Sequence, residues 1–348
     1  MSWEQDYAEI KSGFEAFVKA WETREVDALD NLMIVNPFVS YSIFDPIYSR
    51  EILKERMKVL GKQPTYSRFV IKSYVCKIEN GKAQQSAGMI GYFGDDSGKE
   101  YTHYAFTGYF TNSWEKFEDG WKIINAKFDL ITDDGTMGMR NEAGDFIRVK
   151  GEGDLAFVPN WNPICDDKSV FDGCHLPCIN GDTDAPWLVI KNPENKPLTD
   201  EEEIQELLNR YTFMIDTDTY ALLPDLFTED CSVSMSQLGE MTYPTAIRML
   251  KQMSGGAIRC HHMGEIVKLD VDGDRAVATA YRRAADEMYP FKYTKETEKV
   301  DFVAARYTLM FRRDHGKWRI SHMAYYPGTF INGIYELRLT KNRRRRYV

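Results

Sequence analysis

The spacing of apolar positions along this chain changes from a helical to a strand period, and does so twice. Ile204, Leu207, Leu208, Tyr211, Met214 and Ile215 recur at helical spacing and draw one apolar stripe. Thr199 or Asp200, ahead of a run of glutamates, supplies the start signal of that helix. After a short helix from Tyr243, the segments 257–271, 275–288, 300–313 and 317–327 read as strands. Asp272-Gly273 and His315-Gly316 sit where hairpin turns are expected. The first part of the chain runs through the same order, with an amphipathic helix from Ile10, a short helix after it and then long strands.

Three segments keep this order with little drift. The stretch from Ile10 to Met33 aligns with that from Ile204 to Phe227 at an offset of 194, and Ile47 to Leu53 aligns with Thr242 to Arg248 at 195. Trp121 and Phe128 stand seven apart, as Trp318 and Tyr325 do, at an offset of 197. The chain therefore reads as a tandem duplication. Helices followed by a run of antiparallel strands imply an α+β arrangement, with helices on one face of a curved sheet and a small-ligand pocket between them. The expected boundaries are 1–135 for the first domain, 136–198 for a linker, 199–335 for the second domain and 336–348 for a basic tail. The linker is rich in Gly, Pro, Asp and Asn and carries Trp161, Phe171 and Trp187, so it is expected to wrap over a domain surface in irregular structure.

Composition narrows the function classes. The 348 residues exceed what one core usually organises, and 43% hydrophobic with 28% charged residues is ordinary globular composition. A net charge of −9 argues against nucleic-acid or anionic-lipid partners, the run Arg343 to Arg346 reading as a solvated end. The sequence contains neither a run of apolar residues long enough to span a membrane nor a signal-peptide pattern at its start, so the expected location is the cytoplasm. Six cysteines in a chain this long fit a reduced state. Cys165, Cys174, His175 and Cys178 have zinc-ligand chemistry but lack a second close pair, so no metal is expected. Gly151, Gly153 and Ala156 are followed by Pro159 without a strand-to-helix passage, and no dinucleotide or other cofactor is expected.

The strings Asn209-Arg210-Tyr211 to Asp216, His261-His262-Met263-Gly264 and Trp318-Arg319-Ile320 give the second half a family likeness. Each half resembles the nuclear transport factor 2-like superfamily, and the second resembles its SnoaL-like and scytalone dehydratase-like branches. Bile acid 7α-dehydratase and a dehydrochlorinase of chlorinated cyclohexanes belong to the same circle. The resemblance covers residues 200 to 328 well and residues 5 to 131 as a fold pattern. It implies two tandem cystatin-like cone domains (α+β barrels), each with N-terminal helices packed in a curved antiparallel sheet. It also implies a site built from Tyr211, Asp216 and His262, with Asp286 as a further acidic candidate.

In that reading His262 is a base near working pH, Asp216 fixes its tautomer, and the Tyr211 hydroxyl polarises a substrate oxygen. Five helical residues separate Tyr211 from Asp216 by about 140°, so Asp216 serves only if the helix ends there. Asp218 is the reserve. His261 competes with His262 because alternate strand residues face opposite sides, and a bulge beside Gly264 could exchange them. In the first half Phe17 stands for Tyr211, Glu22 stands for Asp216, and no histidine lies near Val70. That half is expected to be structural or a noncatalytic binder. The expected activity is that of a cofactor-independent lyase of the dehydratase type, or an isomerase, on a hydrophobic small molecule, polycyclic or aromatic. The alternative is a noncatalytic binding or assembly module with an intrachain pseudo-dimer; further homo-oligomerisation stays open.

Overall fold

Thr199 and Glu202 start the second unit's long helix by capping each other. The Thr199 main-chain N–H donates to the Glu202 carboxylate at 2.9 Å, and the Glu202 N–H donates to the Thr199 hydroxyl at 3.3 Å. Asp200, Glu201, Glu202 and Glu203 place negative charge in the first turn, where the helix dipole favours it. Ser2 begins the first unit's helix, its N–H donating to the Gln5 side chain at 3.0 Å.

The computed structural model describes residues 2–42, 44–57, 65–95, 102–133, 178–194, 197–235, 239–254, 258–288 and 301–332. The chain forms two compact units, Met1–Lys196 and Pro197–Val348. The first contains α1 (Trp3–Thr23), α2 (Leu29–Leu32), β1 (Met33–Tyr41), β2 (Phe44–Ile47), α3 (Arg50–Met57), β3 (Tyr66–Glu79), β4 (Lys82–Asp95), β5 (Thr102–Phe117), β6 (Gly120–Asp133), α4 (Gly181–Asp184) and α5 (Pro186–Val189). The second contains α6 (Asp200–Asp216), β7 (Phe227–Met235), β8 (Gly239–Thr242), α7 (Tyr243–Ser254), β9 (Ile258–Asp272), β10 (Arg275–Met288), β11 (Asp301–Asp314) and β12 (Lys317–Asn332).

The two sheets have one order, β2-β1-β6-β5-β4-β3 and β8-β7-β12-β11-β10-β9. In each the four long strands form the expected antiparallel meander. The short strands β1 and β7 join β6 and β12 in parallel, so both sheets are mixed. Their burial does not alternate, which is why no period of two marked them as strands. The hairpin turns are where the sequence places them, with Gly273 at φ 54°, His315 at 50° and Gly316 at 79°.

The duplication is built into the helix-to-sheet attachments. In the first unit Asp6 accepts from the Trp121 indole at 2.9 Å and pairs with Lys116 at 2.6 Å, while Glu9 accepts the Trp121 N–H at 2.9 Å. In the second, Asp200 accepts from the Trp318 indole at 3.1 Å and pairs with Arg313, while Glu203 accepts the Trp318 N–H at 3.1 Å. The offsets are 194 on the helix and 197 on the strands. The cation lies over the indole in both units, Lys116 at 5.8 Å and Arg313 at 4.7 Å.

Residues 178–194 pack on the first unit. Asp129 accepts the N–H groups of Cys178 at 2.6 Å and Ile179 at 3.1 Å. Asp184 pairs with Lys127 at 2.8 Å, and the Glu194 N–H donates to the Ile78 carbonyl at 2.8 Å. The Cys178 thiol donates to the Ser40 carbonyl at 2.9 Å, and burial pushes its pKa well up. Cys165, Cys174, His175, the Gly151–Ala156 string, Trp161, Phe171 and the arginine tail lie outside the described residues.

Candidate functional site

Helix α6 packs on β9 and β12. Gly264 makes the approach to β9 close, since a Cβ there would stand 3.0 Å from Leu208 of α6. Position 264 therefore faces the helix. Pairing of β9 with β10 is continuous from Ile258 to Ile266, and the register shift comes after it. Alternation then puts His262 on the helix side and His261 on the opposite face.

The helix ends where the site needs it to end. The Thr217 N–H closes onto the Phe213 carbonyl at 3.0 Å, its hydroxyl donates to the same oxygen at 2.7 Å, and Asp218 turns left-handed at φ 53°. Asp216 is the last helical residue, and its side chain is wholly buried. One Asp216 oxygen accepts the His262 main-chain N–H at 2.6 Å, and the other makes a short hydrogen bond to His262 Nδ1. Both oxygens of one carboxylate thus hold one residue. With Nδ1 as donor, Nε2 is the ring nitrogen that carries the lone pair of the neutral imidazole.

The remaining candidates stand as follows. Tyr211 is buried on α6, its ring edge-on to Phe227 at 6.0 Å, and Phe227 stacks on Tyr243 at 5.6 Å. His261 is fully buried, and desolvation pushes its pKa down to about 3. Asp218 is exposed. Asp286 lies on β10 opposite Cys260 and Asp301; its side chain lies outside the described residues. Among the described residues no cluster of His, Cys, Asp and Glu could hold a metal ion.

The first unit keeps this frame without the imidazole. Glu22 accepts the Phe69 N–H at 2.9 Å, Thr23 donates to the Lys19 carbonyl at 2.9 Å, and Arg24 is left-handed at φ 64°. Phe69 pairs with Gly91 as His262 pairs with Ala284, so Phe69 is the counterpart of the histidine. Phe110 and Phe128 pair across strands as Tyr307 and Tyr325 do. Sequence reasoning had not reached Tyr307 and Tyr325; the signal was present in the repeat, which sets phenylalanine against tyrosine at Phe17 and Tyr211 and again at these two positions.

Residues 196–324 match the SnoaL-like domain family. The second unit carries a SnoaL-like domain. No curated protein matches the chain. Solved structures similar to this chain include the hexachlorocyclohexane dehydrochlorinase LinA-type3 of Novosphingobium barchaimii, 18% identical over 39% of this chain and 92% of that one, with a TM-score of 0.34. A scytalone dehydratase-like protein of Novosphingobium aromaticivorans is 18% identical over 39% and 89%, with a TM-score of 0.33. A nuclear transport factor 2-like protein of Cytophaga hutchinsonii is 14% identical over 38% and 100%, with a TM-score of 0.31. The SnoaL-like domain and the first unit share one α+β architecture, helices with a six-stranded mixed sheet. Among the described residues no helix is long and apolar enough to cross a membrane.

Proposed function

We propose that the SnoaL-like domain is a cofactor-independent lyase of the dehydratase type, or an isomerase, that removes a proton from carbon in a hydrophobic small molecule. The observation that carries this reading is the two-point hold of Asp216 on His262. His262 Nε2 takes the proton, and the buried Asp216 carboxylate stabilises the imidazolium that forms. For a lyase, the C–H electron pair becomes the new double bond while the leaving group departs with its own pair, and the imidazolium returns the proton to a departing hydroxyl. Tyr211 donates a hydrogen bond to the oxygen on which charge develops. A cytoplasmic setting belongs to this reading, since six cysteines in a chain this long fit a reduced state.

A probe that needs no knowledge of the substrate is 5-nitrobenzisoxazole. A base takes its ring C–H, the N–O bond breaks, and a coloured nitrophenolate leaves. The full chain is expected to catalyse this elimination, and His262→Ala is expected to lose it while circular dichroism stays unchanged. Equal rates for the two proteins remove His262 as the base. The first unit keeps the same frame with phenylalanine at the histidine position, which favours a second reading: binding without turnover. Ligand binding without turnover, equal in His262→Ala and the parent chain, selects that reading.

A further inference from the structure

The first unit fills its interior with side chains that the second lacks. The Trp21 indole sits among Tyr41, Phe69, Phe110 and Phe128, with ring centroids 5.4, 6.3, 5.7 and 5.6 Å away. The helix attachments fix its counterpart as Ile215, one residue before Asp216, as Trp21 is one before Glu22. The four surrounding positions become Met235, His262, Tyr307 and Tyr325, set by the pairings Tyr41 with Phe128 and Met235 with Tyr325. The frame is retained and a fused two-ring side chain has been replaced by a branched aliphatic one.

Solvent reaches the second unit's version of this place. Tyr41 and Phe128 are both 0% exposed, whereas Met235 and Tyr325 are half-buried. The space freed where Ile215, Met235 and His262 stand for Trp21, Tyr41 and Phe69 either collapses or takes a ligand, and apolar cavities of sufficient size bind small aromatic molecules. Tyr307 and Tyr325 pair across the strands with rings 5.4 Å apart, which puts two phenols on one wall.

We propose that Ile215 sets the size of the ligand chamber beside His262, and that Tyr307 and Tyr325 form its hydrogen-bonding wall. The ligand class is a flat, apolar ring skeleton no larger than the missing indole at this depth, carrying a hydroxyl or carbonyl oxygen toward the two phenols. The inference rests on the proposed function only for where the chamber lies, because binding is read without turnover.

The test is calorimetric titration of the full chain with indole. The parent chain is expected to bind one indole, Ile215→Trp to bind none, and Trp21→Ile to bind a second in the first unit. No binding by the parent chain, or equal binding by folded Ile215→Trp, overturns the proposal. If Ile215→Trp fails to fold, Ile215→Phe takes its place, with at least tenfold weaker binding expected and unchanged binding counting against the proposal. For the wall, 5-hydroxyindole is expected to bind more tightly than indole, and Tyr307→Phe with Tyr325→Phe to reduce that preference about fivefold to tenfold; an unchanged preference removes the two phenols from the proposal. His262→Ala removes one side chain from the chamber lining and is expected to bind indole with altered affinity. Persistent 5-nitrobenzisoxazole turnover in His262→Ala with indole binding intact would remove the catalytic reading and leave the chamber standing.

Discussion

Phe69 and His262 occupy one place in two copies of a single frame. The main-chain N–H of each donates to a carboxylate at the end of the long helix, Glu22 at 2.9 Å and Asp216 at 2.6 Å. Only in the second copy does the side chain join the contact, through Nδ1. The attachment is shared by both units and the imidazole contact belongs to one.

Removing that carboxylate should therefore cost more in the second unit than in the first. Asp216→Ala leaves two donors of His262 without their acceptor, at about 1–3 kcal/mol for each buried group. Glu22→Ala leaves one backbone donor; its pair with Lys19 involves an exposed side chain, and its attraction for the Arg24 guanidinium is lost as well. Chemical denaturation of the two variants should show the larger loss for Asp216→Ala; equal losses would refute a role for the Nδ1 contact in stability.

Gly91 and Phe106 should behave as a coupled pair. A Cβ at Gly91 would stand 2.2 Å from the Phe106 ring, so Gly91→Ala should destabilise the first unit by about 1–3 kcal/mol through overpacking. The second unit carries Ala284 opposite Val303 at the same register. Adding Phe106→Val to Gly91→Ala should recover part of the loss, read as a nonzero coupling in a double-mutant cycle. Additive effects would mean that the ring shifts freely.

The two halves announced themselves in the sequence because their attachments use large or charged residues at fixed places, as with Trp121 and Trp318 or Asp6 and Asp200. Helix α6 and strands β9 to β12 were legible from period and turn residues to within a few residues. Strands β1 and β7 were not, because they lie against both core and solvent without alternation. The Asp216 and His262 pairing came from family likeness alone; helical geometry by itself sets Asp216 off the apolar stripe, and its contacts to β9 are seen only in the structure. Tyr325 entered the sequence reading only as a marker of the repeat and Tyr307 not at all, because a buried ring on a strand looks the same from sequence whatever it faces. The hold of Asp129 on residues 178 and 179 carries no periodicity and was invisible.

That hold yields a prediction of its own. Asp129→Ala removes the acceptor of two main-chain N–H groups, so the segment 178–190 should open more often. Hydrogen exchange at Ala185 to Ile190 should speed up by roughly tenfold or more, each lost buried hydrogen bond costing about 1–3 kcal/mol. Unchanged protection would show that packing and the Asp184–Lys127 pair suffice.

His261 should make the second unit sensitive to acid. Its folded pKa, about 3, lies below the unfolded value near 6.5, so the unfolded chain takes the proton first. Stability contributed by the neutral imidazole is complete above about 6.5 and falls as the pH drops toward 3, by at most about 1.4 kcal/mol per pH unit. His261→Gln should flatten that dependence, measured as the urea midpoint between neutral pH and about pH 4.5. Parallel curves for the two proteins would assign the acid sensitivity elsewhere.

The grip on the sheet at the helix end is taken through the peptide backbone, which every residue except proline supplies. A mutation at that strand position can exchange a hydrocarbon ring for an imidazole without loosening the joint. Reactivity can thus be gained or lost in either copy by single substitutions while the scaffold stays fixed, and a duplicated chain can preserve one inert half as a rigid companion to a half free to change its chemistry.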